Sequence, residues 1–174
     1  MSAIKAKSTK QTPTSDTLWT WEHGFKVLDL ASLKEKASEK RKHPASIGIK
    51  PKSRQAVIQT LKKGLPIAAF ERLQKALDVP GTLLAEVVNI AGRTMARRKK
   101  EGRLNTDESE RLWRLGTLFD RAIEVLGDLE TARHWFKSPK KALGGQTPLA
   151  YADTEPGARE VEDLLGRLEY GVFS

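Results

Sequence analysis

The chain of 174 residues contains no cysteine, which excludes a disulfide framework, a thiolate metal site and a cysteine nucleophile, and fits a reducing cytoplasm. Histidine is nearly as scarce. His23, His43 and His134 stand in unrelated contexts and make no His-x-x-x-His pair, so neighbours in sequence offer no zinc site and no acid–base constellation. The carboxylates recur along helical stripes rather than in a cluster, so neither catalysis nor a metal or cofactor is expected. No apolar run approaches the roughly 18 residues needed to cross a bilayer. The opening MSAIKAKSTKQTPTSD also lacks the apolar stretch of a secretory signal. The expected address is the cytoplasm, with no membrane partner.

What the chain has is charge, unevenly placed. The net charge is +9, yet residues 1–105 hold 22 Lys and Arg against 9 Asp and Glu, whereas residues 106–174 hold 9 against 13. A basic front attracts polyanions by releasing their condensed counterions, and an acidic rear is repelled by the same polyanion and suits another partner. Solubility alone could also set such charges, so the asymmetry needs a motif behind it.

Hydrophobic spacing and helix punctuation divide the chain into an arm (1–50), a first helical domain (51–105) and a second (106–174). Residues 1–16 have almost nothing to bury and are expected to be disordered. In the rest of the arm, Trp19, Trp21, Phe25 and Val27 alternate like a strand face, and Leu28, Leu30, Leu33 and Ala37 then recur at near-helical spacing. Two tryptophans so close together need an apolar surface, on this chain's body or on a second subunit.

From residue 53 the signals are helical. Ser53 can cap a helix carrying Val57, Ile58 and Leu61 inward, with Gly64 closing it. Pro66 opens a second, presenting Ile67, Phe70, Leu73 and Leu77, which stops at DVPG. A third presents Leu83, Leu84, Val87 and Val88, and a fourth follows the break at 89–92. Asn105 or Thr106 then starts a longer helix with Asp107, Glu108 and Glu110 in its first turn and an apolar stripe from Leu112 to Leu126. Gly127 and Asp128 end it and start another with Leu129, Ala132, Trp135 and Phe136 on one face. Thr147 and Pro148 begin a short turn, and Thr154 and Pro156 begin a last helix closed by Gly171. The two glycines of ALGGQTP follow no strand and precede no GKS or GKT, so a structural connection is favoured over an anion loop. The expected fold class is all-α.

The segment LLAEVVNIAGRTMARRKKEG reads as a helix-turn-helix. Ala85 is small where the helices cross, Asn89 tolerates the left-handed backbone of the turn, and Ile90 and Met95 plug the core beneath it. That leaves Arg93, Thr94, Arg97 and Arg98 on the outer face of the second helix, with Lys99, Lys100 and Arg103 placed for phosphates. Cations at a helix C-terminus are also favoured by the helix dipole alone, but that preference does not select the outer face.

On KGLPIAAFERLQKAL, RTMARRKKEGRL, ALGGQTPLAYADTEPGAREVEDLL and GRLEYGVFS, residues 53–174 resemble the Xre, MbcA and ParS group of antitoxins. Within that group they most resemble the Xre antitoxins paired with RES-domain toxins. The resemblance implies a Cro/Xre-like helix-turn-helix domain, a small toxin-binding domain, autorepression at operator DNA and neutralisation of an NAD-consuming toxin. It implies that Arg167, Leu168, Glu169, Tyr170, Gly171, Val172, Phe173 and Ser174 reach toward the toxin's active site. Apolar residues at a chain end are costly unless they dock, on a partner or back on their own bundle. Glu155, Glu160, Glu162, Asp163 and Glu169 could complement a basic rim or simply face solvent. A homodimer is expected because paired half-sites compensate for one short recognition helix, and a larger toxin–antitoxin assembly would follow. The competing class is a stand-alone transcription regulator or DNA-partition factor with no toxin, which gene neighbourhood separates. The aromatic arm has no counterpart in the resemblance.

Overall fold

A computed structural model describes residues 17–20, 26–29, 45–49 and 51–171. The chain divides into two compact units, Met1–Lys40 and Arg41–Ser174. In the first, β1 (Thr17–Thr20) and β2 (Lys26–Asp29) pair antiparallel, with Trp19 opposite Val27 and Leu18 opposite Leu28. Leu28 therefore belongs to a strand, not to the helix that its spacing to Leu30 had indicated, because cross-strand pairing outweighs a short helical repeat. The expected disorder of 1–16, the positions Trp21 and Phe25, and the helix through Leu33 and Ala37 lie outside the described residues.

The second unit is all-α. A single 3-10 turn, Ala45–Ile47, precedes α1 (Arg54–Lys62), α2 (Ile67–Leu77), α3 (Gly81–Val87) and α4 (Gly92–Glu101). Then come α5 (Thr106–Leu126), α6 (Leu129–Lys137), a 3-10 turn at Lys141–Leu143, α7 (Pro148–Tyr151) and α8 (Glu155–Tyr170). The caps explain these bounds. Ser53, Asn105, Asp128, Thr147 and Thr154 each accept a hydrogen bond from a first-turn amide, satisfying donors that a helix start leaves orphaned. Asp78 and Asn89 adopt left-handed backbone at φ 55°, which ends α2 and turns α3 toward α4.

One core runs through the unit. Phe70, Leu73, Leu77, Leu84, Ile90 and Met95 from α2–α4 are buried in the same cluster as Leu112, Leu115, Phe119, Phe136, Val161 and Leu165 from α5–α8. Phe119 and Phe136 meet edge to face at 5.4 Å, a favoured aromatic geometry. Ile58, which periodicity assigned inward, is 47% exposed, and Leu83 and Leu129, counted on the apolar faces of their helices, are each 38% exposed. Each lies on a short helix, where a 3.6-residue repeat sampled over two turns does not fix which edge of the apolar face is covered.

Polar contacts sew α1–α4 to α5–α8. Ser109, fully buried on α5, accepts from the Leu65 amide at 2.8 Å. The Arg133 Nε on α6 donates to the Ala76 carbonyl at 2.7 Å, and Lys137 reaches the Asp78 carbonyl at 3.2 Å. Cations of α6 thus satisfy carbonyls left open at the end of α2, where the helix dipole also favours positive charge.

Candidate nucleic-acid interface and partner-facing helix

Helices α3 and α4 form the helix-turn-helix. The turn closes through the Ile90 amide donating to the Ala85 carbonyl at 2.7 Å, with Asn89 in the left-handed region and Ala85, Ile90 and Met95 buried beneath. Arg93, Thr94, Ala96, Arg97 and Lys100 line an open groove of about 430 Å³ on the outer side of α4. Lys99 lines the adjoining cleft of about 850 Å³ between α2, α3 and α4. Among the described residues no ion pair or side-chain hydrogen bond engages Arg93, Lys99 or Lys100. Arg97 has only an exposed contact to Glu101 at 3.6 Å, which contributes little to stability in water.

Arg98 sits differently from its expected place on the outer face. Its Nε and Nη2 donate to the Glu108 carboxylate at 2.8 and 3.1 Å, and its Nη1 pairs with Glu101 at 2.7 Å. The Arg98 side chain is 13% exposed and that of Glu108 6%. The hydrogen bonds that Arg98 donates to Glu108, then to Glu101, raise the guanidinium pKa further above its ordinary value. Glu108 does two things at once, because its carboxylate also accepts from the Asn105 amide at 2.8 Å while its own amide donates to Asn105 Oδ1 at 2.7 Å. This reciprocal cap opens α5, so one buried carboxylate ties the end of α4 to the start of α5. Arg103 likewise turns to its own chain, donating to the Gly64 carbonyl at 2.7 Å. The signal for Glu108 was in the sequence, since Asn-x-x-Glu ahead of an apolar stripe is a capping box that points its carboxylate inward.

At the other end of the unit, α8 lays Ala158, Val161 and Leu165 on the core. Of the acidic residues on this helix, Glu155 pairs with Arg114 at 3.1 Å and with Arg159 at 3.1 Å. Glu160 accepts from the Tyr151 hydroxyl at 2.8 Å, which raises the tyrosine pKa, and Glu169 pairs with Arg121. Glu162 and Asp163 face solvent. Of the C-terminal residues, Arg167 is exposed, Leu168 is half-buried against the core, and Tyr170 is 74% exposed. Gly171 ends the helix at φ 65°. Val172, Phe173 and Ser174 lie outside the described residues.

Residues 56–116 match the family model of the antitoxin Xre-like helix-turn-helix domain. Residues 121–171 match that of the antitoxin Xre/MbcA/ParS C-terminal toxin-binding domain. The chain is 33% identical over 130 residues to the antitoxin Xre of Yersinia enterocolitica serotype O:8, covering 74% of this chain and 88% of the relative. It is 34% identical over 116 residues to the antitoxin Xre of Photorhabdus laumondii, covering 66% and 78%. It is also 27% identical over 127 residues to the Prs ADP-ribosylating antitoxin of a Sphingobium species, covering 67% and 80%. No helix among the described residues is long and apolar enough to cross a membrane.

Proposed function

Because this chain belongs to the Xre family of antitoxins, we propose that it represses its own operon through α4 and blocks the active site of a RES-type, NAD-consuming toxin with its C-terminal residues. The observation that carries this reading is the placement of two unlike surfaces on one core. A groove of cations that are free or only loosely paired among the described residues lines α4, and an acidic helix, α8, ends in an exposed tyrosine.

On the DNA side, Arg93, Thr94 and Arg97 are the residues for base edges, and Lys99 and Lys100 those for phosphates. Arg98 and Arg103 act by holding α4 and the following loop in place. Two chains reading paired half-sites as a homodimer would supply the affinity that one recognition helix lacks. On the toxin side, Arg167, Leu168, Glu169, Tyr170 and Gly171 lead into Val172, Phe173 and Ser174, the segment proposed to enter the toxin pocket. The name of the Sphingobium relative links it to ADP-ribosylation, a transfer that draws its group from NAD, in keeping with an NAD-consuming partner.

Co-expression with the protein encoded by the adjoining open reading frame tests the proposal, comparing the full chain with one truncated after Leu168. The full chain should restore growth and co-purify, and the truncated chain should do neither while still binding promoter DNA. If neither chain affects growth, the toxin reading falls and a DNA-binding regulator remains.

A further inference from the structure

Helix α8 contains two glycines in helical backbone, and their surroundings differ. A Cβ at Gly157 would lie 1.9 Å from the Tyr151 carbonyl oxygen, so the fold of α8 back on α7 demands a glycine there. A Cβ at Gly166 would meet no described atom within 4 Å, and its φ is not one that L side chains avoid. Glycine inside a helix loosens it relative to alanine. Among the described residues nothing therefore requires glycine at 166, although the helix would be firmer with almost any other residue.

The face on which Gly166 lies supplies a reason. Glu162, Gly166 and Tyr170 are spaced four apart and so stand one above another on α8. Glu162, Asp163 and Arg167 are exposed around the glycine, and Tyr170 is 74% exposed. Glu155 and Glu169, by contrast, are drawn to α5 through Arg114 and Arg121. A gap with no side chain beside a projecting aromatic ring is a shape that a neighbouring backbone can enter while the ring anchors it. Glu162 and Asp163 at its edge repel a nucleic acid and suit a protein. The match to a toxin-binding domain spans 121–171 and so includes all of α8.

We infer that the Glu162–Gly166–Tyr170 face of α8 docks the toxin, with Gly166 as the point of closest backbone approach. This docking face runs N-terminally from the tail along α8 and shares Tyr170 with it, so Gly166 and Glu162 are what it adds. The inference rests on the toxin reading above and extends it from the tail to the helix.

The test is Gly166→Ala, with Gly166→Leu and Tyr170→Ala beside it, in the full chain. Each is assayed by thermal unfolding, by size in solution, and by affinity for the purified protein of the adjoining reading frame. Gly166→Ala should raise the melting temperature by about 2–3 °C, since alanine is the better helix former. It should weaken toxin binding by about tenfold, as overpacking a tight contact does. Gly166→Leu should weaken binding further, Tyr170→Ala should weaken it without stabilising the free chain, and DNA binding should not change in any of them. Unchanged toxin affinity in Gly166→Ala overturns the inference. A fall in its melting temperature overturns it too, because the chain's own tail would then occupy the gap, as does a loss of self-association, because a second copy would. If the wild-type chain does not bind that protein at all, the toxin reading itself has failed.

Discussion

Two regions of the main unit, the outer side of α4 and the seams that α5 and α6 make, share one core but treat their cations in opposite ways. At the seams, Arg114, Arg121 and Arg133 are each held by a carboxylate of the same chain, Glu155, Glu169 and Glu130. On the outer side of α4, Arg93, Lys99 and Lys100 have no such partner among the described residues, and Arg97 has only a loose one. A cation satisfied internally contributes to structure, whereas one left to solvent is available to a polyanion at no cost in broken ion pairs. Arg98 crosses this division. It lies within the basic run of α4 yet behaves like the arginines of the seams, because Glu108 of α5 reaches it.

The division can be broken at Glu108. Glu108→Ala leaves Arg98 half-buried without its main partner and removes the cap of α5, so a loss of about 3 kcal/mol is expected. That corresponds to a fall of roughly 6–12 °C in melting temperature, measured by thermal denaturation, with weaker operator binding because α4 is no longer tied to α5. Next in size is Arg97→Ala, which should cost about 1–3 kcal/mol of operator affinity and relax sequence preference while leaving stability within about 0.5 kcal/mol. Fluorescence anisotropy on wild-type and base-substituted operators reads both.

A finer separation concerns phosphate contacts. Lys99→Ala and Lys100→Ala should weaken binding evenly across sequences, each reducing the slope of log affinity against log salt by about 1. Arg98→Lys should leave that slope unchanged, since Arg98 faces Glu108 and not the solvent. The smallest effect concerns Asp128, whose carboxyl is held below its usual pKa by the hydroxyl and amide of Thr131. A depressed carboxylate pKa stabilises the folded chain above the unfolded value and loses that contribution as pH falls through the folded one. The melting temperature of Asp128→Ala should therefore sit below wild type at neutral pH, and the gap should narrow in acid. Burial raises the pKa of Asp120 in both chains, so its opposite dependence cancels from the comparison.

Much of this was readable in the sequence, where local chemistry decides the outcome. Ser53, Asn105, Asp128, Thr147 and Thr154 stand as caps where their short polar side chains precede apolar stripes. Asn89 takes the left-handed turn that its side chain tolerates. What was not readable depends on contacts between distant elements. The direction of Arg98 follows from where α5 returns after Gly102, and the exposure of Ile58, Leu83 and Leu129 from which edges of short helices the core reaches. Arg133 and Lys137 carry no motif at all, yet they close the end of α2 from 57 and 59 residues away. The contrast between Gly157 and Gly166 is likewise invisible until α7 and α8 are in place.

The most direct test is one cell assay that reads both surfaces at once: growth rescue from the co-expressed toxin, together with a reporter on the chain's own promoter. Arg97→Ala should still rescue growth but release the reporter, and the chain ending at Leu168 should repress the reporter but fail to rescue. If each variant loses both readouts, or neither, the two surfaces do not divide the work and the account is wrong.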